Sequence, residues 1–147
     1  MAFRFTLAAP LRLRQSMERR EYLALEKIQS EIAATRLELT QAGQELLAEA
    51  EQFKREISGG VPAIHLHCWS QRIKSLEDRR EQLQARLQRQ EESRQQQLAV
   101  WVEARQKREI LDKLREQQLR LYQRAEARRE QILLDNFALL RHGKPGD

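Results

Sequence analysis

Three side chains that could bind a metal crowd together at His65, His67 and Cys68, in the run His65-Leu66-His67-Cys68. Zinc sites draw four such ligands from separated pairs, because the metal closes a loop between two parts of the chain. The only other histidine is His142 and there is no second cysteine, so the run reads as part of a turn region and no metal is expected. Cys68 alone also forms no internal disulfide, so an oxidising compartment is not implied. No Gly-rich phosphate loop or nucleophile motif is present, and neither catalysis nor a cofactor or small-molecule substrate is expected.

What remains is chemistry of binding. Arg105, Lys107, Arg108, Lys113, Arg115, Arg120, Arg124, Arg128 and Arg129 make a basic stretch that could meet nucleic acid or an acidic protein. Glu103, Glu109, Asp112, Glu116, Glu126 and Glu130 are interleaved with it, however, and a salt-laced helix face explains the pattern better than a nucleic-acid stripe. The net charge of +5 is uneven: residues 1–57 hold nine basic and nine acidic side chains, so the excess lies wholly in the second part. Trp69 and Trp101 either anchor a partner or fill widened layers between helices, since one neighbouring helix cannot fully bury an indole.

The elements that carry these residues are organised by Ser58-Gly59-Gly60-Val61-Pro62. Gly accepts the left-handed backbone that closes a helix, and Pro has a backbone angle suited to a helix's first turn. Gly59 or Gly60 is therefore expected at positive φ, with Gly59, Gly60 and Pro62 making the turn. Before it, Leu25, Ile32, Leu39, Leu46 and Phe53 recur every seven residues with Ile28, Thr35 and Ala42 between them, the period of a coiled-coil seam. Glu18, Glu21, Glu49 and Glu56 occupy the same count near the ends, which predicts looser pairing there. Gly43, off the seam, reads as a mild defect. After the turn, Ile73, Leu76, Leu83 and Leu87 continue the count, Gln90, Arg94 and Gln97 interrupt it, and it resumes near Trp101 with an expected change of phase.

With aromatic content of 5% and charged content of 33%, the chain can build a seam but not a thick core. The fold predicted is all-α, a long antiparallel two-helix coiled-coil hairpin forming one domain over 1–147. Helix one is expected over about 7–57, the turn over 58–62, helix two over about 63–139 and a frayed tail over 140–147. Helix one would be roughly 70 Å long and helix two roughly 114 Å at 1.5 Å per residue, so about thirty residues of helix two would lack an intrachain mate. The apolar run at the start is too short for a secretory signal or a membrane span, and a cytosolic location is expected.

Phe3-Arg4-Phe5, Leu11-Arg12-Leu13-Arg14, the Gly-containing turn, Trp101-Val102-Glu103-Ala104-Arg105-Gln106-Lys107, Tyr122, Glu130-Gln131 and Asp135-Asn136-Phe137-Ala138 stand in an order and spacing that resembles the flagellar export protein FliJ family. The resemblance runs over nearly the whole chain. It implies a non-enzymatic coiled-coil stalk component of the bacterial flagellar type III protein export apparatus, cytoplasmic and peripherally associated with the inner membrane at the flagellar base. Its implied partners are the export ATPase hexamer, the export gate membrane protein and export chaperones. Combined with the charge pattern it points to Arg120, Leu121, Tyr122, Arg124, Arg128 and Leu133 for the ATPase. For the gate it points to Leu46, Phe53, Trp69, Leu76 and Leu83, with Arg72 standing where an aromatic is more usual. The rival readings are a coiled-coil nucleic-acid-binding or spacer protein, and a stalk subunit of another secretion system.

Overall fold

In a computed structural model the chain is two α-helices joined by one turn, and the structure describes residues 2–60 and 62–143. Helix α1 spans Ala8–Ser58 and α2 spans Ala63–His142, 51 residues against 80. The fold is an all-α antiparallel helical hairpin. Helix α1 starts where the Ala8 amide donates to the Phe5 carbonyl, and Pro10 is tolerated in its first turn because an amide there would have no helical acceptor. At the other end the Gly59 and Gly60 amides donate to the Glu56 and Ile57 carbonyls. Of these two glycines Gly60 takes the left-handed angle, with φ of 78°. Val61, within the expected turn, and 144–147 of the expected tail lie outside the described residues, whereas α2 itself continues three residues beyond its expected end.

Side-chain packing groups the chain into two compact units, one from Arg20 to Trp101 and the other made of the residues up to Arg19 and from Val102 on. Within the first unit, α1 buries Leu25, Ile32, Thr35 and Ala42 against α2, whose Leu83 is 4% exposed. Thr35 is tolerated in this row because its hydroxyl donates to the Glu31 carbonyl one turn back at 3.1 Å. Glu49 accepts from Trp69 Nε1 at 2.8 Å and pairs with Arg72 at 2.8 Å. Further along, Arg36 meets Glu91 at 2.7 Å, and Gln97 Nε2 donates to both the Glu21 carbonyl at 3.0 Å and its carboxylate at 2.6 Å. In the second unit Leu11 is buried and Arg108 pairs with Glu18 across the helices and with Asp112 on its own. The hydrogen bond to Glu18, and then that to Asp112, hold the Arg108 guanidinium above its ordinary range against a smaller opposing effect of burial.

Two sequence expectations are corrected by these contacts. Glu18, Glu21 and Glu49 do not loosen the seam: each is half-buried and bonded across to α2, so the polar positions are joints. Nor does α2 change phase at Gln90. Half-buried or buried residues fall at 83, 87, 90, 94, 97, 101, 104, 108 and 111, an unbroken alternation of three and four. Gln90, Arg94 and Gln97 are half-buried members of the row, Gln97 through its bonds to Glu21 and Gln90 with its amide oxygen covered, which a count of apolar residues alone cannot register.

Gly60→Val should cost about 1 kcal/mol or more because its angle is strained for an L side chain, while Gly59→Ala should be nearly neutral, both read by thermal melting. A Cβ at Gly43 would meet nothing within 4 Å. Gly43→Ala should therefore raise stability by roughly 0.5–1 kcal/mol. Gln97→Leu should destabilise by about 1–3 kcal/mol by stranding Glu21, whereas the double change Glu21→Leu with Gln97→Leu should recover or exceed the original stability. An additive double variant would rule out the cross-helix bond as the reason.

Candidate functional site

Near the turn, the apolar side chains expected to meet the gate are partly or wholly covered in the hairpin. Leu46, Phe53, Trp69 and Leu76 are half-buried and Leu83 is buried. The Phe53 and Trp69 rings meet edge to face, with centroids 5.2 Å apart and planes at 83°. That geometry directs the positive edge of one ring at the negative face of the other, and the bond to Glu49 satisfies the indole N–H. Beside them a groove of about 410 Å³ is lined by Glu49, Glu56, His65, Cys68, Trp69 and Arg72. Gly59, Gly60 and Pro62 are exposed at this end, as are Leu47, Ile57 and Ile64, which a seam count passes over. His67 is bonded to Gln71, Cys68 is exposed, and among the described residues no group of three or more His, Cys, Asp or Glu is arranged to hold a metal.

Trp101, at the opposite end of the same unit, packs on Tyr22 with ring centroids 6.1 Å apart. Both tryptophans are thus half-buried, each beside an aromatic ring on α1.

The other unit holds the second predicted set. Arg120, Arg124 and Arg128 recur every four residues and are exposed along one side of α2, with Leu121 beside them over a shallow groove that Arg124, Arg128 and Gln131 also line. Tyr122 and Leu133 project from nearly the opposite side at 3.6 residues per turn. Of this set only Tyr122 is half-buried, its ring 5.6 Å from that of Phe3. From Ala127 to Gly143 every residue is exposed, including Ile132, Leu133, Leu134, Phe137, Leu139 and Leu140. Phe137 is 66% exposed and Leu140 69%. Of this group the sequence reading places only Leu133 in a partner site, although the run Ile132-Leu133-Leu134-Asp135-Asn136-Phe137-Ala138-Leu139-Leu140 carries the signal plainly: apolar residues fill more than half of the helix circumference with no second helix to cover them.

Ion pairs occupy much of the basic charge of α2, as in Lys107 with Glu103, Arg105 with Glu109 and Arg129 with Glu126. Among the described residues no helix is long and apolar enough to cross a membrane. No curated protein and no solved structure matches the chain. The profile described as flagellar FliJ protein, by contrast, matches residues 3–147. With that match over nearly the full length of a two-helix coiled-coil hairpin, the chain belongs to the FliJ family and is a component of the flagellar protein export apparatus.

Proposed function

We propose that the chain works by binding alone, as a stalk whose unpaired α2 end enters the ring of the export ATPase and promotes its assembly or turnover. The observation that carries this reading is the exposed stretch from Ala127 to Gly143. A helix with one apolar stripe is satisfied by one flat surface, but a helix with leucines and a phenylalanine around most of its circumference needs a partner that surrounds it. A ring lumen does so. Arg120, Arg124 and Arg128, with Leu121, face away from Tyr122 and Leu133, so acidic or polar ring loops would orient the post by charge while apolar contacts hold it.

The turn end is assigned to the export gate and to export chaperones. Because Leu46, Phe53, Trp69 and Leu76 are half-buried, Leu83 is buried and the Phe53 and Trp69 rings meet each other, the gate would meet the uncovered edges of Phe53 and Trp69 together with exposed Leu47, Ile57 and Ile64. Association with the inner membrane then comes through the gate, and the location is cytoplasmic. The nucleic-acid reading is the weaker one, since the acids beside the arginines already neutralise part of their charge.

Removal of everything after Glu126 leaves the half-buried positions of both helices in place and, among the described residues, takes away only exposed ones. Such a chain should lose stimulation of the export ATPase by about tenfold or more, and so should the full chain with Leu133→Asp and Phe137→Asp. Reversing charge at Arg120, Arg124 and Arg128 should weaken stimulation in a salt-sensitive manner, and Gly59→Ala at the turn should leave it intact. Full stimulation by the truncated chain would place the ATPase contact elsewhere.

A further inference from the structure

Residues 2–7 precede α1 and run beside α2 as a strap without regular helix or strand. The strap is nonetheless packed: Phe5 is only 9% exposed, and Phe3 lies on Tyr122 with its ring tilted by 49°. Tyr122 heads a row along one side of α2 that continues at steps of three or four through Glu126, Arg129, Leu133, Phe137 and Leu140. Beyond Glu126 the row is exposed. The strap therefore covers the first apolar member of the same row whose later members lie open.

We infer that the strap is a displaceable latch over the docking row: it holds Tyr122 covered in the free chain, and a partner that grips Leu133, Phe137 and Leu140 replaces Phe3 on Tyr122 as it advances along the helix. This rests on the reading that the α2 end docks into the export ATPase ring. Two aromatic anchors on a segment with no ladder of backbone hydrogen bonds form a contact that can open without unfolding either helix. A partner that needs the open form binds with its affinity reduced by the fraction of chains in that form, so the latch lowers affinity for early or incomplete rings and yields to one able to occupy the whole row. The alternative arrangement, in which Phe3 and Phe5 themselves touch the ATPase, gives the opposite sign in the same measurement.

The test uses the full chain and purified export ATPase hexamer in a binding titration. Phe3→Ala with Phe5→Ala should tighten binding by about threefold to tenfold, because the closed state no longer competes. A second variant keeps both rings: Ala2→Cys and Gln123→Cys, on a Cys68→Ser background, bridged by a short cleavable bismaleimide that holds the strap down. The bridged protein should bind at least about tenfold more weakly than the same protein after cleavage. Equal affinity before and after cleavage, or weaker binding by the double alanine variant, overturns the latch while leaving the ATPase reading standing. Absence of binding by every variant, the cleaved one included, overturns the ATPase reading and the latch with it.

Discussion

A seam between two helices buries one row of side chains from each, and leucines alone do not say where along that row the helices should stop sliding. A shift by one heptad would return every apolar position to an apolar position. Register must be supplied by groups that lose something definite when displaced. Here they are the half-buried glutamates: Glu49 with Trp69 and Arg72, Glu21 with Gln97, and Glu18 with Arg108. Displacing any of them leaves a partly desolvated carboxylate without its donor, which costs more than the bond itself contributes. The turn works in the same sense. Gly60, at positive φ, helps close the connection with only four residues, 59–62, between α1 and α2, so the chain has little slack with which to choose another register.

This division of labour explains which parts of the fold could be read from residue types. The leucines and isoleucines of α1 announce their period because each contributes apolar area whatever stands opposite. The polar members announce nothing by themselves. Glu21 looks like a weak point until Gln97 is seen to reach its carboxylate and carbonyl together, and Gln90, Arg94 and Gln97 look like an interruption until they are found half-buried in the row. Cross-strand or cross-helix pairing is a property of two positions, and a single row of letters shows only one of them. Phe3 belongs to the same class: its aromatic mate lies more than a hundred residues along the chain, at Tyr122. The candidate partner surfaces were legible to a similar degree. The basic row Arg120, Arg124 and Arg128 follows from spacing alone, whereas the commitment of Phe53 and Trp69 to each other does not.

The distribution of satisfied and unsatisfied surface then separates the molecule by task. In the unit from Arg20 to Trp101, both tryptophans already have aromatic neighbours, and the indole of Trp69 has an acceptor. A partner there would add to surfaces that are already largely composed. In the other unit, α2 passes from paired to bare within about one turn, between Tyr122 and Ala127, and what it exposes afterwards includes five large aliphatic side chains and Phe137 within residues 132–140. Isolated helices owe most of their stability in proteins to an apolar face packed on something. A stretch such as Ile132 to Leu140 therefore gains order as well as burial when it is enclosed, and enclosure from several sides gains more than contact with one.

That gain has a directional consequence for how such an end would engage a ring. Charge acts over about a Debye length, 8 Å at physiological ionic strength, while apolar contact acts only at touching distance. Arg120, Arg124 and Arg128 lie nearer the paired part of the helix, and the leucines lie beyond them toward its end. An advancing post would thus present Arg141 and the leucines before the row Arg120, Arg124 and Arg128, so leucine contacts would form before that row reaches the rim. Entry would begin as a loose, rotationally undetermined apolar contact. Orientation would be imposed only in the final steps, when a one-sided row of guanidinium groups meets whatever acidic or polar loops surround it. A stalk that had to seat itself in a ring of similar subunits would benefit from that order, because it could turn within the lumen before its charged side committed it to one of them.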